Sequence, residues 1–325
     1  VTASPLMLSD SDAGAGVFSV TVTFDEAMDT TVDPTLTFGT DVSGTLTFNS
    51  GGWDVTETIY TATYDVVDAD VDMTDVTVDV TGAQDTNGNV QQDYTEAIEF
   101  SVDTLNPGVT DVTATPVVVS DSEVGAGTFS IAVTFDEVMD TTVDPTLTFG
   151  TDVSGTLTFN SGVWDVTETI YTATYDVVDA DVDMTDVTVD VTGAQDAAGN
   201  AQQDYTEAIE FSVDTVNPTV TTVVVSETLL TDAVTALESF RIDVTFSEAM
   251  DMTVDPVLVF NPGVAGSLVL AGGSWDGTAA IYTATYDVVD AEVDMTDVTV
   301  GVTGALDAAG EGQRGYTEAI GLGVG

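Results

Sequence analysis

Along the first third of the chain, apolar and polar residues alternate in short runs. Phe18, Val20, Val22 and Phe24 fall on one face of an extended segment. Leu36 and Phe38 form a second run; Leu46 and Phe48 form a third, which opens after Gly44 and points inward. Tyr60, Ala62 and Tyr64 alternate in a fourth, Val76, Val78 and Val80 in a fifth, and Ile98, Phe100 and Val102 in a sixth. A leading segment near Leu6 and Leu8 makes seven. A period of two marks strands with one buried face, and no stretch carries a helical period. Turn signals separate the runs: the glycines at 14 and 16, residues 39–43, the pair Gly51 and Gly52, and residues 85–89. Seven short strands in about 100 residues predict an all-β fold, an immunoglobulin-like seven-stranded sandwich.

The pattern then recurs. Trp53, Trp164 and Trp275 are 111 residues apart, and so are Met28, Met139 and Met250. Residues 28–51 and 53–85 are identical to residues 139–162 and 164–196. A unit of this length is an ordinary domain. The chain therefore divides into three Ig-like repeats joined head to tail: residues 1–103, then 104–214 and 215–325, each of these with an entry linker. Val1 aligns just past a linker, and Gly325 aligns with Asp103 and Asp214. This is the expected look of a segment of a longer array. A triplicated unit points to a structural or binding array, because active sites are rarely copied along one chain.

Charge narrows the partners. There are 57 acidic residues against two arginines, Arg241 and Arg314, for a net charge of −55. Nothing here can neutralise phosphates, which excludes nucleic acid. An anionic membrane surface is disfavoured for the same reason, and no apolar run approaches the ~20 residues of a membrane helix, so insertion is not expected. Self-repulsion on this scale requires counter-ions. Two compatible readings follow: a halophilic surface that holds water and cations, or a calcium-loaded extracellular protein. Cysteine is absent, so disulfides and thiol redox chemistry are excluded.

Three motifs carry a resemblance. The string VTFDEAMD at residues 22–29, read as VTFSEAMD at 244–251, resembles the second-strand signature of bacterial and archaeal extracellular Ig-like tandem repeats. DAAGN at residues 196–200 is similar to their turn, and FSVDTVNP at 211–218 to their exit into the next domain. The resemblance implies an extracellular or cell-surface array of β-sandwiches, as in adhesins, surface-layer proteins and accessory parts of secreted enzymes. The third copy departs from it. Ser247 replaces an acid, Glu311 replaces the asparagine, and Gly321, Gly323 and Gly325 replace Glu210, Ser212 and Asp214.

Counting strand directions places candidate chemistry. The second strand's exit, the DAAGN turn and the preceding linker must share one end of each sandwich. The loops at residues 25–33 and 85–93 should therefore lie together. At the first junction this gathers Asp103 and Asn106 from the linker, Asp136, Glu137 and Asp140 from the strand exit, and Asp196 and Asn200 from the turn. At the second it gathers Asp214, Asn217, Glu248, Asp251 and Asp307. Hard oxygens from several segments suit Ca²⁺, which takes six to eight of them. Cadherin repeats fix their linkers by similar logic, although no full cadherin motif is present. The alternative is that Asp196 and Asn200 form an Asx-type turn and Asp136 and Glu137 are solvated. With Ser247 in place of an acid, the second junction is expected to bind more weakly. A second acidic run, Asp65, Asp68, Asp70, Asp72 and Asp75, reads as an edge strand whose outward charges block aggregation. Trp53 either closes one end of the sandwich or offers a platform for sugars. No His, Lys or Cys exists to act as base or nucleophile, so no enzymatic activity is expected. The expected function is a calcium-stiffened stalk, adhesin shaft or filament whose partner is itself. The alternative is a glycan-binding accessory module or a module that meets another cell surface.

Overall fold

The structure, a computed structural model, describes the whole chain except residues 93, 96, 97, 207, 208 and 265. Among the described residues the regular elements are strands, plus three single 3-10 turns at Asp10–Asp12, Asp121–Glu123 and Asp232–Val234. No helix is long and apolar enough to cross a membrane.

In the first sandwich the strands are β1 (Thr2–Ser4), β2 (Met7–Leu8), β3 (Gly14–Thr23), β4 (Thr35–Phe38), β5 (Leu46–Trp53), β6 (Ile59–Val66), β7 (Asp72–Val76), β8 (Val78–Thr81), β9 (Tyr94–Thr95) and β10 (Phe100–Asp103). One sheet has the order β1-β3-β6-β5; the facing layer combines β2-β10-β7 with β4-β8-β9. These are seven strands with three interrupted. The leading strand divides at Pro5, which cannot donate to a ladder. Its first half pairs antiparallel with β3, and its second half crosses over to run parallel to β10. β7 and β8 are separated at Thr77; Asp75, within β7, has a left-handed φ of 59°, and there the register with β10 shifts. In the third copy the equivalent stretches run unbroken as Met295–Thr303 and Tyr316–Val324, and the second layer is one four-stranded sheet.

Each sandwich has its own core. The alternation of the sequence sets its lining: Phe18, Val20 and Val22 from β3, Tyr60, Ala62 and Tyr64 from β6, and Val76, Val78 and Val80 from β7 and β8 are all buried. Phe18 and Phe100 pack tilted across the two layers with ring centroids 4.6 Å apart, and Phe38 meets Phe100 edge-on at 5.8 Å.

Several local expectations are corrected. Phe48 shares the face of Leu46 and sets its ring edge-on to Tyr64, yet it is 58 % exposed. It lies on an edge strand: in the second copy its equivalent, Phe159, lines an open groove with Leu147, Phe149 and Tyr175. Ile98 is exposed and precedes β10 instead of entering it. Gly14 and Gly16 belong to β3, where the register with β6 shifts before Phe18.

Gly51 and Gly52 are not a turn. They pair with Ala62 and Thr61 inside β5. A Cβ on Gly51 would overlap the Tyr60 hydroxyl, and the same holds for Gly162 with Tyr171 and Gly273 with Tyr282, whereas the Gly52 position is open. The tyrosine crosses the strand only because that side chain is missing. Gly51→Ala should therefore cost about 1–3 kcal/mol, the usual penalty of overpacking. Gly52→Ala should be near neutral, since the later copies carry Val163 and Ser274 there. Thermal melts of the two variants check this, and equal midpoints would contradict it.

Candidate functional site

The two loops that strand counting brings together do meet. A bridge joins Met139 to Asp196, as Met28 joins Asp85 and Met250 joins Asp307. Asp93, the far end of the second loop in the first copy, lies outside the described residues. The linker enters the same end: Gly108 N–H donates to Asp136 Oδ1 at 2.7 Å, Asp136 N–H donates to Gly108 O at 3.0 Å, and Gln203 N–H donates to Pro107 O at 2.9 Å.

The acidic run of the preceding sandwich, expected as a charged edge strand, also belongs here. Asp72 and Asp75 lie in β7, but Asp68 and Asp70 sit in the loop before it. That loop is clamped to the linker: Thr104 N–H donates to Val71 O at 2.8 Å, and Val71 N–H donates to Thr104 Oγ1 at 3.2 Å. Asp10, from the first 3-10 turn, reaches the same end. Strand counting, which places that loop beside the exit of β10, was the signal that could have found it.

At the first junction, carboxylate oxygens of Asp103, Glu137 and Asp196 lie within 4.8 Å of one another. Asp196 builds an Asx-type turn, with its Oδ1 accepting the N–H groups of Ala198 and Asn200, both at 2.8 Å. Asn200 is 1 % exposed and rivets the domains together. Its Nδ2 donates to Asp196 Oδ2 at 2.7 Å and to Asp103 O at 2.9 Å, while its Oδ1 accepts Asp10 N–H at 2.9 Å. Asn106 adds a second stitch, donating to Asp10 Oδ2 at 2.8 Å and Ala201 O at 3.0 Å. Two residues named from the sequence point elsewhere. Asp136 holds the linker backbone, and Asp140 Oδ1 caps Thr142, accepting its N–H at 2.8 Å.

At the second junction the three carboxylates within 4.8 Å are Asp214, Asp307 and Glu311. Asn217 Nδ2 donates to Asp121 Oδ2 at 2.9 Å, repeating the Asn106 stitch. Asp251 caps Thr253 as Asp140 caps Thr142. Ser247 Oγ accepts Thr219 N–H at 2.9 Å. It thereby keeps the linker bond that Asp136 makes, so losing this acid removes no member of the carboxylate group. Arg314 pairs with Asp181 of the preceding sandwich, an ion pair across the junction.

Electrostatics follow from burial and crowding. Burial, then the charges of Asp103, Asp196, Asp136 and Asp72, push Glu137 up to about 7. Glu248 moves up for the same reason, burial first and then Asp214 and Asp307. Asp103 and Asp214 are also raised, mainly by burial. Glu137 Oε1 is buried without a partner. Donors that are all oxygen, with a net negative charge and an unsatisfied carboxylate, fit Ca²⁺.

The tryptophans are half-buried. Trp53 lies between Phe24 and Tyr60, with ring centroids at 5.4 and 5.3 Å, and its Nε1 donates to Asp33 Oδ1 at 3.1 Å.

No family model matches the chain, and no curated protein matches it. Among solved structures it is similar to the zebrafish RET cadherin-like domains 1 to 4, at 10 % identity and TM-score 0.28, covering 90 % of this chain and 65 % of that one. It is similar to domains 4-9 of the surface layer protein SbsC at 13 % identity and TM-score 0.23, covering 93 % of this chain and 40 % of that one. It is similar to the D00-D0 domain of intimin at 14 % identity and TM-score 0.29, covering 64 % of this chain and 98 % of that one. The superpositions are loose, so the sandwich assignment rests on strand order and register.

Proposed function

We propose that this chain is a non-catalytic structural segment of an extracellular or cell-surface repeat protein, a stalk, adhesin shaft or filament, in which Ca²⁺ stiffens the junctions. The observation that carries this reading is the convergence of acids from both sides of each linker. At the first junction Asp103, Glu137 and Asp196 would hold the ion; at the second, Asp214 and Asp307 would, with Glu248 beside them. A bound divalent cation supplies positive charge that ties the linker to the following sandwich. The protein supplies the rest: the Asx-type turn orients Asp196, Thr104 anchors the linker, and Asn106 and Asn200 set the approach of the two domains. Near-identical copies favour a repeated assembly, because each unit can make equivalent contacts with its neighbour. The acidic, cysteine-free composition and the resemblance to Ig-like surface repeats support an external location. We place glycan binding second, because each Trp ring is largely engaged by aromatics of its own sandwich.

Small-angle scattering on the full chain tests the proposal. With Ca²⁺ the distribution of maximum dimensions should narrow, and chelator should broaden it again. Affinities in extracellular modules are commonly ~10⁻⁴–10⁻³ M, and Glu137→Ala should weaken the first site at least about tenfold, the loss that even an outer-shell partner can produce. Identical scattering with ion and with chelator would defeat the stiffening claim.

A further inference from the structure

The two junctions differ at one buried position, and the difference reverses the expected order of their cation affinities. In the first, Asn200 puts a donor, Nδ2, between Asp196 Oδ2 and Asp103 O. In the second, Glu311 occupies that place. Its Oε1 takes over the Asn200 Oδ1 role and accepts Asp121 N–H at 2.8 Å. Its Oε2 stands where the donor was, and a carboxylate oxygen cannot donate.

Three N–H groups, from Ala309, Gly310 and Glu311, satisfy Asp307 Oδ1 at 2.8–2.9 Å. Asp307 Oδ2 and Glu311 Oε2 are both left without any partner. The two residues are 2 % and 1 % exposed, so bulk water barely reaches them. Two carboxylate oxygens without a donor in one buried space, with Asp214 within 4.8 Å, cost free energy unless a proton shared between them or a cation joins them.

We infer that Glu311 converts the hydrogen-bonded rivet of the first junction into a divalent-cation site at the second, with Asp214, Asp307 and Glu311 as ligands. The second junction is then the tighter cation binder, and its closure depends on the ion, whereas the first keeps its amide rivet without one. This rests on the junction reading above and adds a ligand and an order of affinities to it. Ser247 does not oppose it, because that position clamps the linker.

The test uses the full chain stripped of metal, titrated with Ca²⁺ alone by calorimetry, and melted in chelator. Glu311→Asn restores the rivet and should abolish the tightest binding event or weaken it at least about tenfold. In chelator the same variant should melt above wild type, because a donor replaces a repelled oxygen. A merely structural glutamate would give the opposite sign. Asn200→Glu, the reverse exchange, should add a tight event and lower the midpoint in chelator. The inference is overturned if Glu311→Asn keeps the wild-type isotherm or melts no higher in chelator, even if Asn200→Glu fails to fold. It survives a failure of the stiffening reading, which would show as scattering unchanged by Ca²⁺ while the isotherms still differ.

Discussion

Raising NaCl from about 0.01 M to about 1 M, with chelator present, should lift the thermal midpoint of this chain by about 10 °C or more. Screening shortens from roughly 30 Å to roughly 3 Å over that range. Two like charges about 10 Å apart in water repel by roughly 0.4 kcal/mol. With 57 acids on three sandwiches such repulsions add up, and an unfolded chain would spread the charges apart. The cations give little relief: Arg241 is taken by Asp243 at 2.9 Å and Arg314 by Asp181. A repulsion of a few kcal/mol per sandwich translates to about 4–8 °C for each kcal/mol in a domain of this size. Scanning calorimetry across a salt series measures it, and a midpoint indifferent to salt would show that the folded charges are already neutralised.

The second large effect is expected in the core. Phe211→Ala should destabilise the second sandwich by about 3–5 kcal/mol. The ring is 2 % exposed, packs tilted against Phe129 at 4.8 Å and meets Phe149 edge-on at 5.8 Å. Its loss leaves a cavity that two rigid sheets cannot close. Because each sandwich has a separate core, only one of the three unfolding transitions should shift, by on the order of 15 °C. Phe159→Ala, at an exposed aromatic of the same sandwich, should shift it little. A common shift of all the unfolding would show that the junctions bind the domains into one cooperative unit.

The strands were legible because their pattern is local. Alternation in residues 18–24 and 59–66 names the buried face whatever the neighbours are, and it was right at Phe18, Val20, Tyr60 and Tyr64. It failed where burial depends on what lies opposite. Phe48 obeys the alternation yet stays exposed, because its strand is at the sandwich edge. Gly51 read as a turn, because the ring that crosses it comes from a neighbouring strand.

The junctions show the same division. That the strand exit, the DAAGN turn and the linker share one end followed from strand parity alone. Parity does not say which way a carboxylate points. Asp140 and Asp251 turned to cap their own loops, Asp136 turned to the linker, and Asn200 became a rivet between domains. Asp10 joined the site from the domain before it, through its bonds with Asn106 and Asn200, and strand parity does not display those bonds.

Read alone, the chain specifies three β-sandwiches, a negative charge without counterweight, and the end of each sandwich where acids collect. These are properties of periodicity, composition and chain direction, and each sums over many residues. Packing settled which oxygens are satisfied. Asn200 and Glu311 differ by one residue type at equivalent places, and the consequence of that exchange depends on Asp121, Asp214 and Asp307 arriving from three separate segments. A buried carboxylate has meaning only through the donors around it, and those are fixed by long-range contacts.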